Sequence, residues 1–190
     1  MIRVVLVSPK FSQNVGMVAR VMKNFGVSDL RLVKPRAELN VEAYERAVFA
    51  GDILLHSRRH QAFEEAIEGC SLVIGTSRRM SARKKNVIGV KEMAELLKAA
   101  LPANEVALVF GPEDLGLSQQ EVKYCHWIVG IHPGTDYESL NLSHSVAIVL
   151  YEIAFALVPG VASKKEVADT LELERMYQHL EEVLTEIDFI

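Results

Sequence analysis

A chain of 190 residues is long enough for one compact α/β domain with an appendage, and 49% hydrophobic against 24% charged residues is ordinary for a soluble globular protein. A net charge of −4 does not advertise a generally basic nucleic-acid binder, so any such contact must come from a local face. The longest apolar run, residues 146–158, is interrupted by Glu152 and is too short to span a bilayer. Cys70 and Cys125 form no CxxC pair and no secretory signal precedes them, so they read as buried free thiols in a cytoplasmic protein.

In chain order, the β-branched run Ile2–Val7 predicts a buried strand. Ser12 is placed to cap a helix over 13–25 that stops at Gly26, with Val15, Val18, Met22 and Phe25 facing the core. Gly16, Arg20 and Lys23 fall on another stripe, which predicts a basic polar face. A strand over Asp29–Val33 closes a strand–helix–strand unit. A helix over 41–50, a short strand over 53–55, a helix over 61–68 and a strand over 71–75 follow. Residues 76–86 are polar and basic and read as a loop. Next come a helix over Val90–Ala100 ending near Pro102, a strand over Val106–Phe110, a short helix from Ser118 and a strand over 127–131. The apolar segment Leu142–Leu157 predicts a helix buried on most of its sides. Strands alternating with helices predict a mostly parallel sheet covered by helices on both faces.

Pro159 and Gly160 mark the expected boundary between a domain over 1–160 and a helical tail over 161–190. In the tail, Met176, Leu180, Val183, Leu184 and Ile187 form an apolar stripe that must be buried against the domain itself or a second chain. Two basic clusters stand out, Arg58-Arg59-His60 and the stretch from Arg78 to Lys85, while acidic residues concentrate in the tail.

No GxGxxG follows the first strand, and GxxxxGK[ST], HExxH, zinc-type Cys/His spacing and GxSxG are all missing. These absences weigh against dinucleotide, P-loop, metal and serine-elbow chemistry. Three other segments carry glycines and polar residues where a buried α/β chain favours aliphatics: Asn14 to Arg20, Phe110 to Ser118, and Ile131 to Gly134 followed by Ser139 to Ser143. Two lie just after apolar strands, where open α/β sheets place ligand crevices. Each alone also reads as a plain turn or helix cap, with Gly111 and Gly116 as turn glycines, Glu113 and Asp114 as solvated carboxylates and Asn141 as an N-cap.

Taken together in this order and spacing, the three segments resemble the signature motifs of the TrmH-type RNA methyltransferases of the SPOUT class. Ser139-Leu140-Asn141 before an apolar helix ending in Tyr151-Glu152 is the most specific part, and the likeness runs to about Leu157. The stretch from Val73 to Arg78 and the tail from Glu174 to Leu180 look like the TrmJ branch. The resemblance implies an α/β fold whose C-terminal part makes a trefoil knot, an obligate homodimer, and S-adenosylmethionine as cofactor. The implied activity is methyl transfer to a ribose 2′-hydroxyl of RNA, most readily tRNA and by analogy its anticodon loop. Ribosomal RNA, or a silent RNA-binding module that keeps the fold, are the alternatives; no metal and no membrane are expected.

Matched to the family's motifs, Arg20, Asn14, Glu113, Ser139 and Asn141 are the expected catalytic residues. Thr76, Ser77, Arg78, Gly111, Ile131, Ser139, Leu140 and Asn141 are expected at the cofactor. Arginine is effectively always protonated and makes a poor base, so Arg20 is expected to bind the phosphate beside the target ribose and to stabilise developing alkoxide charge. Glu113 is expected to hold either Arg20 or Asn14. The basic loop from Arg78 to Lys85 is a phosphate track in this reading. Two departures stand out: Pro112 precedes Glu113 where many TrmJ-branch enzymes carry arginine, and the chain stops where relatives continue into a helical extension.

Overall fold

The computed structural model describes residues 1–77, 86–101, 103–132, 134–135, 139–158 and 170–186. The chain divides into two compact units, Met1–Pro159 and Gly160–Ile190.

The first unit is built on a seven-stranded, all-parallel sheet: β1 (Ile2–Val7), β2 (Asp29–Val33), β3 (Arg58–His60), β4 (Leu72–Thr76), β5 (Asn86–Gly89), β6 (Val106–Phe110) and β7 (Trp127–Gly130), in the order β3-β2-β1-β6-β4-β7-β5. Strands of such a sheet are buried on both faces and read as unbroken apolar runs, and all five residues of β6 are buried. Alternate side chains feed two cores. Val4, Leu6, Ile74 and Leu108 join helices α1 (Ser12–Asn24), α2 (Val41–Ala47), α3 (Gly51–Leu55), α5 (Val90–Ala100) and α7 (Leu142–Leu157) on one face. Val5, Val7, Val73 and Val109 meet Phe63 and Ala66 of α4 (Phe63–Ile67) and Val122 of α6 (Gln119–Tyr124) on the other.

Several expectations are corrected. Residues 53–55 belong to α3 rather than to a strand, because Ile53 and Leu54 both turn toward one core while Leu55 is exposed. The edge strand β3 is instead formed by Arg58-Arg59-His60, whose exposed charges suit a sheet edge that must not recruit another chain. The loop expected over 76–86 holds the last residue of β4, and β5 begins at its end. Ser12 does not cap α1; Phe11 occupies that position, and its carbonyl accepts the N–H groups of Asn14 and Val15. Gly16 falls on the expected stripe but is buried there rather than part of a polar face: a Cβ would stand 2.1 Å from the carbonyl oxygen of Ala43, so only glycine lets α1 and α2 pack so closely. α7 is buried on one side only, with Tyr151 and Phe155 exposed and stacked on its outer side.

In the second unit α8 (Thr170–Glu186) exposes Met176, Leu180 and Val183, while Leu184 is half-buried. Ile187, Pro102, Pro159 and Gly160 lie outside the described residues. Among the described residues no helix is long and apolar enough to cross a membrane.

Candidate active site

Sheet order reverses beside β1: β2 lies on one flank and β6 on the other. The chain leaving β1 enters α1 on one face of the sheet, whereas the chain leaving β6 leads to α6 on the opposite face. Loops that diverge in this way open a crevice at the carboxyl ends of the strands.

Asn14 lies in the first turn of α1 at this crevice and is 6% exposed. Its Nδ2 donates to Glu113 Oε1 at 2.8 Å, and its Oδ1 accepts from Asn141 Nδ2 at 2.9 Å. Asn141 Oδ1 in turn accepts from the backbone N–H and the hydroxyl of Ser143, both at 2.8 Å. The amide orientations follow from chemistry. A carboxylate only accepts, so Asn14 must present its nitrogen to Glu113 and its oxygen to Asn141. Asn141 must then present its nitrogen to Asn14, which leaves its oxygen for the first turn of α7. One buried amide thereby ties together segments that follow β1, β6 and β7. Of the two partners expected for Glu113, Asn14 is the one it holds. The other carboxylate oxygen accepts from the backbone N–H of Lys10 at 3.0 Å, and the Lys10 ammonium pairs with Asp114. That ion pair holds the Asp114 carboxyl below the usual carboxylate range.

Of the residues expected at the cofactor, Thr76 and Ser77, Gly111 and Ile131 lie at the ends of three adjacent strands, β4, β6 and β7, while Ser139, Leu140 and Asn141 lead into α7. Thr76 Oγ1 donates to the Val109 carbonyl at 3.2 Å, and the Ser77 N–H to the Val129 carbonyl at 3.0 Å. Gly111 follows β6 where the loop folds back; a Cβ there would meet the Gly116 carbonyl carbon at 2.3 Å and the Leu117 nitrogen at 2.4 Å. Backbone therefore forms this wall. Ile131 and Leu140 are half-buried, Ser139 is exposed, and Arg78 with the basic loop to Lys85 lies outside the described residues. Strand-end backbone groups with half-buried aliphatics suit an adenine edge and plate, and the exposed hydroxyl and amide of Ser139 and Asn141 suit a zwitterionic tail. Among the described residues no group of three or more His, Cys, Asp and Glu is placed to hold a metal ion.

Arg20 stands apart from this network. It is exposed on α1, six residues beyond Asn14 and so about 9 Å along the axis, and it forms no ion pair or hydrogen bond among the described residues. Lys23, expected on the same face, is neutralised by Asp52 at 2.8 Å. Lys10 and Ser143 were not expected in the network. Ser143 lay inside a motif and adjoins a helix start, which is a usable signal; Lys10 carried none.

A family model described as the SpoU rRNA methylase family matches residues 1–151. The chain is 37% identical, over its full length and 81% of the relative, to "tRNA (cytidine/uridine-2'-O-)-methyltransferase TrmJ" of Pectobacterium atrosepticum. It is 42% identical, over 80% of its length and 67% of the relative, to "tRNA (cytidine-2'-O-)-methyltransferase TrmJ" of Methanocaldococcus jannaschii. Among solved structures, a probable methylase family protein from Haemophilus influenzae aligns with a TM-score of 0.79 at 34% identity, covering 100% of this chain and 81% of that one. A structure described as giving insights into 2-OH methylation of C/U34 on tRNA aligns with a TM-score of 0.62 at 28% identity, covering 83% of this chain and 96% of that one. The methyltransferase AviRb from Streptomyces viridochromogenes, solved with AdoMet, shares the fold with a TM-score of 0.67 at 18% identity, covering 84% of this chain and 58% of that one.

Proposed function

The chain belongs to the SpoU rRNA methylase family, and from that membership we propose that it transfers a methyl group from S-adenosylmethionine to a ribose 2′-hydroxyl of tRNA. The observation that carries the reading is Asn14 bridging Glu113 and Asn141, because it draws three segments distant in sequence to one crevice. When bound, the cofactor supplies an electrophilic methyl on a sulfonium. The protein's tasks are then to hold it, to orient the hydroxyl in line and to stabilise the charge that develops on its oxygen.

Backbone at Gly111, Ile131 and Leu140, with Thr76, Ser77, Arg78, Ser139 and Asn141, forms the cofactor's side. Asn14 and Glu113 fix the geometry of the crevice. Arg20 grips the phosphate next to the target ribose, a role that needs the planar fork of a permanently charged guanidinium. The anticodon loop as target takes its support from the relative whose description names C/U34 on tRNA. We further propose a cytoplasmic homodimer in which Arg20 of one copy faces the cofactor site of the other, and a C-terminal trefoil knot; family membership and the exposed Tyr151 and Phe155 on α7 support these readings.

Incubation of the protein with labelled S-adenosylmethionine and bulk tRNA and rRNA, followed by mapping of the label, tests the reaction. Label on ribose in a tRNA anticodon loop, lost with Arg20→Ala while cofactor affinity stays, is the expected outcome. Label confined to rRNA selects the other substrate. RNA binding with no label leaves only a silent binding module.

A further inference from the structure

Along one side of α1, the neighbouring segment from α2 to α3 runs in the same direction. Gln13 donates to Glu42, a Cβ at Gly16 would meet Arg46 Cβ at 3.0 Å, and Lys23 pairs with Asp52 at 2.8 Å. Arg20 lies one turn beyond Gly16 on the same stripe, and residues one turn apart stand about 5–6 Å from each other at Cβ. It is therefore flanked by Arg46 and by the turn Val48–Ala50 that follows α2. The outer members of this row, Gln13 and Lys23, have partners. The inner cations do not: neither Arg20 nor Arg46 forms a hydrogen bond or ion pair among the described residues, and both are exposed.

The turn itself is unusual. Val48 is held at φ 55°, a conformation β-branched residues avoid, with its N–H donated to the Tyr44 carbonyl. Ala47 and Ala50 are buried on either side, so the turn throws Phe49 outward until it is 91% exposed. A solvated phenylalanine on a strained turn beside two guanidiniums that pair with nothing among the described residues is costly as a surface and well suited as a contact. Aromatic faces stack single-stranded bases without regard to their identity, and paired arginines track successive phosphates.

We propose that Arg46 and Phe49 form a second RNA subsite beside Arg20, with Arg46 on a neighbouring phosphate and Phe49 stacked on a base flanking the target nucleotide. The subsite rests on the methyl-transfer reading, since it takes its ligand from Arg20, but it is tested separately. Binding of unmodified tRNA is measured by fluorescence anisotropy at several salt concentrations, alongside turnover, cofactor-product affinity and mass by light scattering.

Phe49→Ala is expected to weaken tRNA binding and raise its KM about tenfold, with kcat nearly unchanged and Phe49→Trp near wild type. Arg46→Ala is expected to reduce the slope of log affinity against log salt by about one. Neither variant should alter S-adenosylhomocysteine affinity or particle mass. Because Phe49 lies outside the core, its truncation leaves folding intact. Unchanged tRNA affinity in both variants overturns the subsite while leaving methyl transfer standing. A lower mass with Phe49→Ala overturns it too, by showing that a second copy covers the ring. A wild-type protein that binds tRNA without methylating it removes the reaction, and the binding measurements still decide the subsite. Failure of the wild type to bind tRNA removes both.

Discussion

The two ends of the sheet hold polar clusters built on opposite plans. At the amino ends of β1 and β2, Arg3 and Arg31 are 8% and 7% exposed and share Asp29. Arg3 also donates to the carbonyls of Ala66 at 3.0 Å and Glu68 at 2.8 Å and pairs with Glu105 at 3.4 Å. Every charge there is answered within the cluster. At the carboxyl ends, the linking groups are two neutral amides and one carboxylate, and Arg20, further along α1, has no ion-pair or hydrogen-bond partner among the described residues. Fully compensated charge fastens elements together, whereas an unanswered charge beside a preorganised neutral network is available to a ligand. On the proposed reading of the site, charge density alone therefore points to the wrong end of the sheet.

The sharpest separation of the two ends is at Arg3. Arg3→Met removes the cation while keeping an unbranched side chain; Asp29 keeps Arg31 but loses its second arginine, and the Ala66 and Glu68 carbonyls at the end of α4 lose their donor. Breaking a buried pair from one side typically costs 3–5 kcal/mol; with Glu105 partly in water, about 3 kcal/mol is expected here. For a domain of this size the melting temperature should fall by roughly 6–12 °C. Urea unfolding and turnover per folded molecule check the contrast. Methyl transfer at 25 °C should be unchanged, and a loss of activity without a loss of stability would mean the two ends are coupled.

Asn14→Asp makes the converse change. The shape is kept, but a carboxylate then faces Glu113, cannot donate to it, and repels it. Turnover is expected to drop about a hundredfold, in the range for losing one preorganised donor, with a smaller effect on the unfolding midpoint than Arg3→Met. Near-normal turnover would show that Asn14 only fills space.

Much of the architecture was readable because burial on both faces writes itself as apolar runs: Ile2–Val7 and Val106–Phe110 have the same bounds in sequence and structure. The failures share a cause. Three apolar residues at 53–55 fit a strand or a single helical turn equally, and Arg58-Arg59-His60 hides an edge strand because an edge needs no apolar face. At the site, motif order placed Asn14, Glu113 and Asn141 as candidates, but the bond from Glu113 to Asn14 depends on how the loops after β1 and β6 approach each other. Gly16 was misjudged for a similar reason, since its use is the closeness of a second helix, which no period along α1 records.

The smallest expected effect lies at Asp29 and concerns acid. Burial pushes its carboxyl up, but hydrogen bonds from Arg31 and Arg3 outweigh that and hold it below the usual carboxylate range. A carboxyl with a lowered folded pKa contributes stability that is fully present above its unfolded value, near ~3.9. That contribution is lost as pH falls through the folded value. Stability should thus show no Asp29 dependence between pH 5 and 7 and should decline below about pH 4, where the amino-end cluster loses its shared anion. In Asp29→Asn the neutral-pH stability should be lower and the decline below pH 4 shallower, because the group no longer titrates. Urea midpoints at half-unit pH steps for the two proteins give the comparison directly. Parallel acid limbs would show that Arg3 and Arg31 draw no charge-dependent stabilisation from Asp29, and the fastening at that end would then rest on the Ala66 and Glu68 carbonyls and on Glu105.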